Sequence, residues 1–326
     1  MPKPKVFATH QLFEPARQIL QESCDVEYWA QTERPPRPEL LRRIQDKEGL
    51  VCLLTEKVNE ELLLAAPKLR IAANVAVGFD NIDVAACTKR SVVATNTPGV
   101  LDETTADFAW TLMMAAARRL GEGEALARSG IWQGWNLDQL VGADVWGKTL
   151  GIVGFGRIGR AMARRASGFQ MKVIYTDAVR VPMEVEKELK AEFRDMNALL
   201  GESDFVSVHV PLLPETRGLF DAPKFRRMKP TAFLINTSRG PVVEEASLVG
   251  ALEAGEIAGA GLDVYENEPL IHPGLKRANV VLAPHLASAS LETRTKMACM
   301  AAQNVVALFT GQRPPNMLNP EVLKAS

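Results

Sequence analysis

A chain of 326 residues is long enough for two α/β domains, and 47% hydrophobic with 24% charged residues is the composition of a globular protein. Its net charge of −1 gives no electrostatic attraction for nucleic acid or an anionic membrane, and no apolar run reaches the roughly 18–20 residues of a membrane span. Cys24, Cys52, Cys87 and Cys299 lack CxxC or Cys/His spacing, so no disulfide framework or metal site is expected, and MPKPKVFATHQLFEP has no signal-peptide core, which points to a reducing cytoplasm.

In chain order, KVFATH, GLVCLL, LRIAANVA and VVATNT read as strands of a mostly parallel sheet. EPARQILQES, PELLRRIQ and NEELLLAAP lie between them with helical spacing. Short connections between strands and helices make this a βα series. From Asp102 one long helical segment is expected, DETTADFAWTLMMAAARRLGEGEALARSG, with Asp102 or Thr104 placed to cap it and Gly130 to end it. Ala109 to Ala117 is almost wholly apolar, so this helix should be buried or lie at an interface. A loop rich in Trp and Gly follows. A second βα series then begins, with strands TLGIVG, KVIYTD, FVSVHV, TAFLINTS, IAGAGLDV and VVLAPH. A last amphipathic helix, about LETRTKMACMAAQNVVALFTG, precedes a Pro-containing tail.

The strongest motif opens the second series. In TLGIVGFGRIGRAMARRASGFQMKVIYTD an apolar strand runs into Gly154, Gly156 and Gly159, spaced GxGxxG, and then into a helix. Such glycines allow a tight turn, close approach of backbone to a pyrophosphate, and close helix–strand packing, and the helix N-terminus offers free N–H groups to the phosphates. Asp177 ends the next strand, 18 residues past Gly159, near the spacing of the carboxylate that accepts from ribose hydroxyls. A carboxylate there repels a 2′-phosphate, so NAD is expected over NADP. Arg180 reads as a solvated surface charge, or as one that blunts this preference. His285 ends the last strand behind Pro284; taken alone it reads as a half-buried residue that satisfies a local carbonyl.

Nearly the whole chain resembles the D-isomer-specific 2-hydroxyacid dehydrogenases, and within them the glyoxylate/hydroxypyruvate reductases. The resemblance rests on NVAVGFDNIDVAACTKRSVVATNTPGVLDETTADFA, GKTLGIVGFGRIGRAMARRASGF, DFVSVHVPLLPETRGLF, LINTSRGPVVEEASLVGALEAGEIAGAGLDVYENEP and NVVLAPHLASAS, in family order. It implies an α/β fold of two doubly wound parallel-sheet domains, Rossmann-like and flavodoxin-like, with an inter-domain cleft. Residues 101–287 would form the dinucleotide-binding domain, and residues 1–100 with 288–326 a discontinuous substrate-binding domain.

The resemblance also implies a catalytic trio: Arg239 in an SRG turn, Glu268 before Pro269, and His285. Glu266 competes with Glu268 for the carboxylate role. The chemistry suits these residue types. Negative charge builds on the carbonyl oxygen of a 2-keto acid as hydride arrives at carbon, and an imidazolium can protonate it. A carboxylate on the far ring nitrogen fixes the tautomer and favours the charged ring. An arginine fork matches the substrate carboxylate. By the same resemblance, the N–H groups of Val77 and Gly78 would grip that carboxylate and Leu54 would line the pocket. Arg157 and Ile158 would meet the pyrophosphate, and Asp263 the nicotinamide carboxamide. Pro211, Thr237, Ser238 and Ser288 would border the cofactor, and Thr104 the nicotinamide side. Trp135 matches a tryptophan that reaches a neighbouring subunit's active site, implying a homodimer. Where the family often has a second aromatic four residues later, Gln139 stands here, which leaves the pocket's width and polarity open. The expected reaction is NAD(H)-dependent reduction of a small 2-keto acid, with glyoxylate or hydroxypyruvate ahead of 2-ketogluconate. The alternative of another class is an NAD-sensing, corepressor-like binding protein.

Overall fold

The computed structural model describes residues 2–323. The chain divides into two compact units, Met1–Leu101 with Ser290–Ser326, and Asp102–Ala289. The first begins with β1 (Lys5–Ala8), α1 (Glu14–Ser23), β2 (Asp25–Tyr28), α2 (Arg37–Arg43), β3 (Gly49–Cys52), α3 (Glu60–Ala65), β4 (Ile71–Asn74), α4 (Val84–Lys89) and β5 (Val93–Thr95). These strands form one parallel sheet in the order β2-β1-β3-β4-β5, the flavodoxin-like order. Every residue of β3, β4 and β5 is buried, as expected where helices cover both faces of a parallel sheet.

The second unit contains α5 (Asp102–Ala117), α6 (Leu120–Ser129), β6 (Thr149–Val153), α7 (Arg157–Ser167), β7 (Lys172–Thr176), α8 (Met183–Leu189), β8 (Ala191–Phe193), α9 (Met196–Glu202), β9 (Phe205–Val208), α10 (Ala222–Phe225), β10 (Phe233–Asn236), α11 (Glu245–Ala254), β11 (Gly259–Leu262) and β12 (Val280–Leu282). Its sheet is also parallel, ordered β12-β11-β10-β9-β6-β7-β8. That is the Rossmann order with one added strand, and the direction of winding reverses between β6 and β9. The chain then returns to the first unit as α12 (Leu291–Phe309), which buries Ala298, Ala301, Ala302 and Val305 against Val6, Val51 and Ile71.

Two strands lie outside the sequence expectation, β2 and β8, and both are sheet edges. An edge strand needs less apolar surface: β2 is DVEY with none of its residues fully buried, and β8 is only AEF. The single helix expected from Asp102 to Gly130 is broken in two. Arg119 takes φ +53°, and the Ala117 carbonyl accepts from the N–H of Ala143 in the following loop. A tertiary contact therefore ends α5 where no Pro or Gly marks a stop. Ala106, Ala109, Leu112, Met113, Ala116 and Ala117 of α5 join the core, whereas α6 buries nothing.

Local signals place several other helix starts. Asn59, Asp83, Asp195 and Ser290 each accept from the N–H three residues on, bonds worth about 1 kcal/mol apiece. Among the described residues no helix is long and apolar enough to cross a membrane.

Candidate active site

The glycine turn sits between β6 and α7, at the point where the sheet reverses its winding. Gly154 has φ +92°, and a Cβ there would lie 2.8 Å from the backbone of His209 at the end of β9. Only glycine suits both the left-handed backbone and this close approach. Gly156 caps α7, and open space surrounds the position where its Cβ would be. Arg157 and Ile158 open that helix, with free N–H groups behind them. Asp177 follows β7 and turns onto the same loop, where its Oδ2 accepts from the Phe155 N–H at 2.6 Å. This geometry fits a dinucleotide: an open glycine cradle, a helix N-terminus and a carboxylate anchored beside them. Thr237, past the end of β10, has a buried hydroxyl with no protein partner, a polar atom left over for a bound group. Pro211 lies exposed three residues past β9, where its carbonyl accepts from the Thr216 hydroxyl at 2.6 Å.

The ends of β10, β11 and β12 carry the trio. Asn236 ends β10 and builds the SRG turn: its Oδ1 accepts from the Ser238 N–H and hydroxyl, and its Nδ2 donates to the Arg239 carbonyl. Gly240 follows, and any Cβ there would overlap the Tyr265 carbonyl group. That close approach lays the Arg239 turn against the loop after β11. In that loop Glu268 Oε1 accepts from the Tyr265 N–H at 3.1 Å, and Oε2 lies 2.9 Å from His285 Nδ1. The competing Glu266 is occupied elsewhere, accepting from the Glu245 N–H while its own N–H donates to the Glu245 carboxylate.

Burial tends to raise the Glu268 carboxyl, but the hydrogen bond and charge of His285, the Tyr265 N–H and the Arg239 charge outweigh it and hold it below its ordinary value. Glu268 is therefore an anion at neutral pH and can only accept. The proton in the pair belongs to Nδ1 of His285, and Nε2 is left for a second partner.

His285 has φ +57°, an uncommon conformation for a residue with a side chain. Asp263 holds it there. This aspartate is 0% exposed, and its two oxygens accept from the N–H groups of Leu286 (2.6 Å) and Ala287 (2.8 Å). Its carbonyl accepts from the His285 N–H at 2.9 Å. Burial raises the Asp263 carboxyl against the opposing pull of those donors and of His285. The structure encloses Asp263 as the anchor of the histidine turn. Ser288 lies half-buried in that turn.

Thr104 is half-buried in the first turn of α5. Trp135 stands in the loop after α6 with 82% of its surface exposed, and Gln139 is exposed in the same loop. Neither of these loop residues is joined to the trio by a described hydrogen bond. In the first unit Leu54, Val77 and Gly78 lie beyond the ends of the neighbouring strands β3 and β4. Sequence reasoning missed what pins them. Asn74 donates to the Gly78 carbonyl, Asn96 to Val77, and Asn81 to both Leu53 and Glu56. The buried Glu56 accepts from the Leu53 N–H at 2.7 Å. A sequence signal was available for Asn74, which ends apolar β4, and for Asn96, directly after β5, whereas Glu56 and Asn81 lie further along the loops. His209 was also missed. Burial pushes its imidazole down to about 3, so it is neutral, and it lies 2.8 Å from the Ser207 hydroxyl.

A dinucleotide cradle and a histidine–carboxylate pair on the same ends of one parallel sheet are the working parts of a nicotinamide-dependent oxidoreductase. Comparison with known proteins narrows that class. The family described as D-isomer specific 2-hydroxyacid dehydrogenase, NAD binding domain, matches residues 110–287. The chain is 51% identical to a glyoxylate reductase of Korarchaeum cryptofilum, over 99% of this chain and 98% of that one. It is 50% identical to a glyoxylate reductase of Thermococcus litoralis, over 99% of each. Among solved structures, a glyoxylate reductase from Paecilomyes thermophila superposes with a TM-score of 0.87 at 29% identity, covering 98% of this chain and 100% of that one. An NADPH-dependent glyoxylate/hydroxypyruvate reductase from Sinorhizobium meliloti, in complex with NADP and malonate, gives 0.86 at 32% identity, covering 98% and 97%. The chain belongs to the D-isomer-specific 2-hydroxyacid dehydrogenase family, oxidoreductases acting on CH–OH groups.

Proposed function

We propose that the protein reduces glyoxylate or hydroxypyruvate to the corresponding hydroxy acid with NADH. The observation that carries this reading is the His285–Glu268 pair, whose fixed tautomer leaves one ring nitrogen for a substrate oxygen. When bound, the reduced cofactor supplies a hydride to the carbonyl carbon. His285 delivers a proton from Nε2 to the carbonyl oxygen and becomes neutral. Glu268 holds the ring in register through Nδ1. Arg239 binds the substrate carboxylate with its planar fork, and the Val77 and Gly78 N–H groups are read as carboxylate donors of the first unit. The glycine turn with Arg157 and Ile158 holds the pyrophosphate and Asp177 the ribose. Thr104, Pro211, Thr237, Ser238 and Ser288 border the rest of the cofactor.

Leu54 is read as an apolar wall that favours short substrates. In an assay of NADH oxidation over a panel of 2-keto acids, glyoxylate or hydroxypyruvate is expected to give the highest kcat/KM, with 2-ketogluconate lower and pyruvate poor. Preference for 2-ketogluconate would overturn the substrate while leaving the chemistry intact. Negligible turnover beside tight NADH binding would favour a sensor.

Asp177 is read as the source of a preference for NADH over NADPH. Repulsion of a phosphate charge is worth roughly 1 kcal/mol at 4 Å in water and more where water is excluded. Each decade of preference corresponds to about 1.4 kcal/mol, so a tenfold or larger preference is expected. Asp177→Ala should narrow or reverse it, as read from KM values for the two cofactors. Equal use of both by the unaltered protein would contradict this role.

We further place the protein in the cytoplasm as a homodimer. Its four cysteines are unpaired. The loop after α6 exposes Trp132, Trp135, Leu137 and Trp146, apolar side chains suited to being covered by a second copy of the chain.

A further inference from the structure

We propose that Glu186 sets cofactor preference by withholding Arg180 from a 2′-phosphate. The inference rests on the reading of Asp177 as the ribose-binding carboxylate. Arg180 lies three residues past Asp177, in the connection between β7 and α8. Rossmann domains that accept NADP use an arginine in this neighbourhood to hold the extra phosphate. By type and position Arg180 should therefore offset Asp177.

Its bonds say otherwise. Arg180 Nε donates to Glu186 Oε1 and Nη2 donates to Oε2, both at 2.8 Å. Both prongs of the fork are spent on one carboxylate, the geometry in which a guanidinium also grips a phosphate. Glu186 is not a casual surface partner. Its side chain is only 10% exposed, against 59% for Arg180. It sits in the first turn of α8, and Oε1 also accepts from the Tyr175 hydroxyl at 2.6 Å. Tyr175 is fully buried, stacks on Phe155 with ring centroids 4.1 Å apart, and has its oxygen fixed by the Val181 N–H at 3.2 Å. The Arg180 guanidinium also lies 5.7 Å from the Phe193 ring. The hydrogen bonds from Arg180 and Tyr175 hold the Glu186 carboxyl down at about 2, so the pair stays ionised at any working pH.

Glu186 thus occupies Arg180 as a built-in substitute for phosphate. A 2′-phosphate would have to draw Arg180 out of two charged hydrogen bonds and leave a nearly buried carboxylate with Tyr175 alone. It would do so beside Asp177.

The test uses the full chain and two probes, AMP and adenosine 2′,5′-bisphosphate, with affinities measured by calorimetry and folding checked by thermal unfolding. Glu186→Gln keeps an oxygen for Tyr175 but loses the charge that holds Arg180. Affinity for the bisphosphate relative to AMP should rise about tenfold, the scale of one charge-assisted hydrogen bond. Adding Arg180→Ala to that variant should abolish the gain. Arg180→Ala alone, at an exposed side chain, should change the ratio by less than about twofold. A folded Glu186→Gln with an unchanged ratio would overturn the proposal. So would a gain that survives loss of Arg180, or a tenfold fall in the Arg180→Ala protein. If Glu186→Gln does not fold, the single Arg180 variant still decides. Asp177→Ala separates the two ideas: if it leaves the ratio unmoved while Glu186→Gln shifts it, the ribose reading fails and the clamp stands. The opposite pattern removes the clamp alone.

Discussion

Replacing His285 by alanine should lower keto-acid turnover by about 10²–10⁴-fold, the usual contribution of a positioned proton donor. Affinity for NADH, measured by fluorescence titration, should be unchanged, because the glycine turn and Asp177 share no hydrogen bond with the His285 turn. The pH dependence gives a second readout. Reduction consumes a proton and needs the imidazolium, so it should decline as pH rises. Oxidation of the hydroxy acid needs the neutral ring and should gain over the same interval. Glu268→Gln removes the carboxylate that holds Nδ1, so turnover should fall while NADH affinity stays constant. The Glu268 carboxyl is held below its ordinary value, so its charge contributes stability above the ordinary carboxylate range, and that contribution disappears only as pH falls through the lowered value. A His285→Ala protein that binds NADH and still turns over at near-native rate would make His285 a packing residue and send the search for the proton elsewhere.

Arg239→Lys should cost about 10²–10⁴-fold in kcat/KM for the best keto acid, the equivalent of two charge-assisted hydrogen bonds at roughly 1.5–3 kcal/mol each. Lysine keeps the charge but presents a point donor where the substrate carboxylate needs a fork. The loss should appear in KM as well as kcat, because the carboxylate is held in both ground and transition states. Oxamate or malonate, as unreactive carboxylate probes, should weaken in parallel while NADH affinity stays constant. If Arg239→Lys left kcat/KM within a few-fold of native, the SRG turn would be a structural feature, held by Asn236 and Gly240, and the carboxylate would have to be bound by other groups.

Much of the molecule is legible from local pattern. The GxGxxG spacing, the apolar strand ahead of it and the acid ending the next strand each meet a local requirement of the backbone: a left-handed turn, a close approach, a helix N-terminus. Strands buried on both faces read as continuous apolar runs, which is why β3, β4, β6 and β9–β11 stand out. The motifs around Arg239, Glu268 and His285 are equally visible, because each is a short stretch of chain. Edge strands β2 and β8 are not legible because they carry few buried apolar residues, whereas the opposite edges β5 and β12 are apolar enough to be read.

What the tertiary structure alone decided are choices of partner. Sequence prefers Glu268 to its rival Glu266 only through the proline that follows it; the packing of Gly240 on Tyr265 and the bond to Glu245 put Glu266 in the scaffold and Glu268 on the imidazole. Asp263 reads as a strand-end acid, yet its oxygens are taken by N–H groups more than twenty residues away, and they set the histidine turn. The break at Arg119 has no local signal, because the group that ends the helix is the Ala143 N–H. Arg180 looks free beside Asp177 until Glu186 is seen holding it. Local sequence determines which conformations the backbone can take. Which donor meets which acceptor depends on groups that only folding brings within 3 Å.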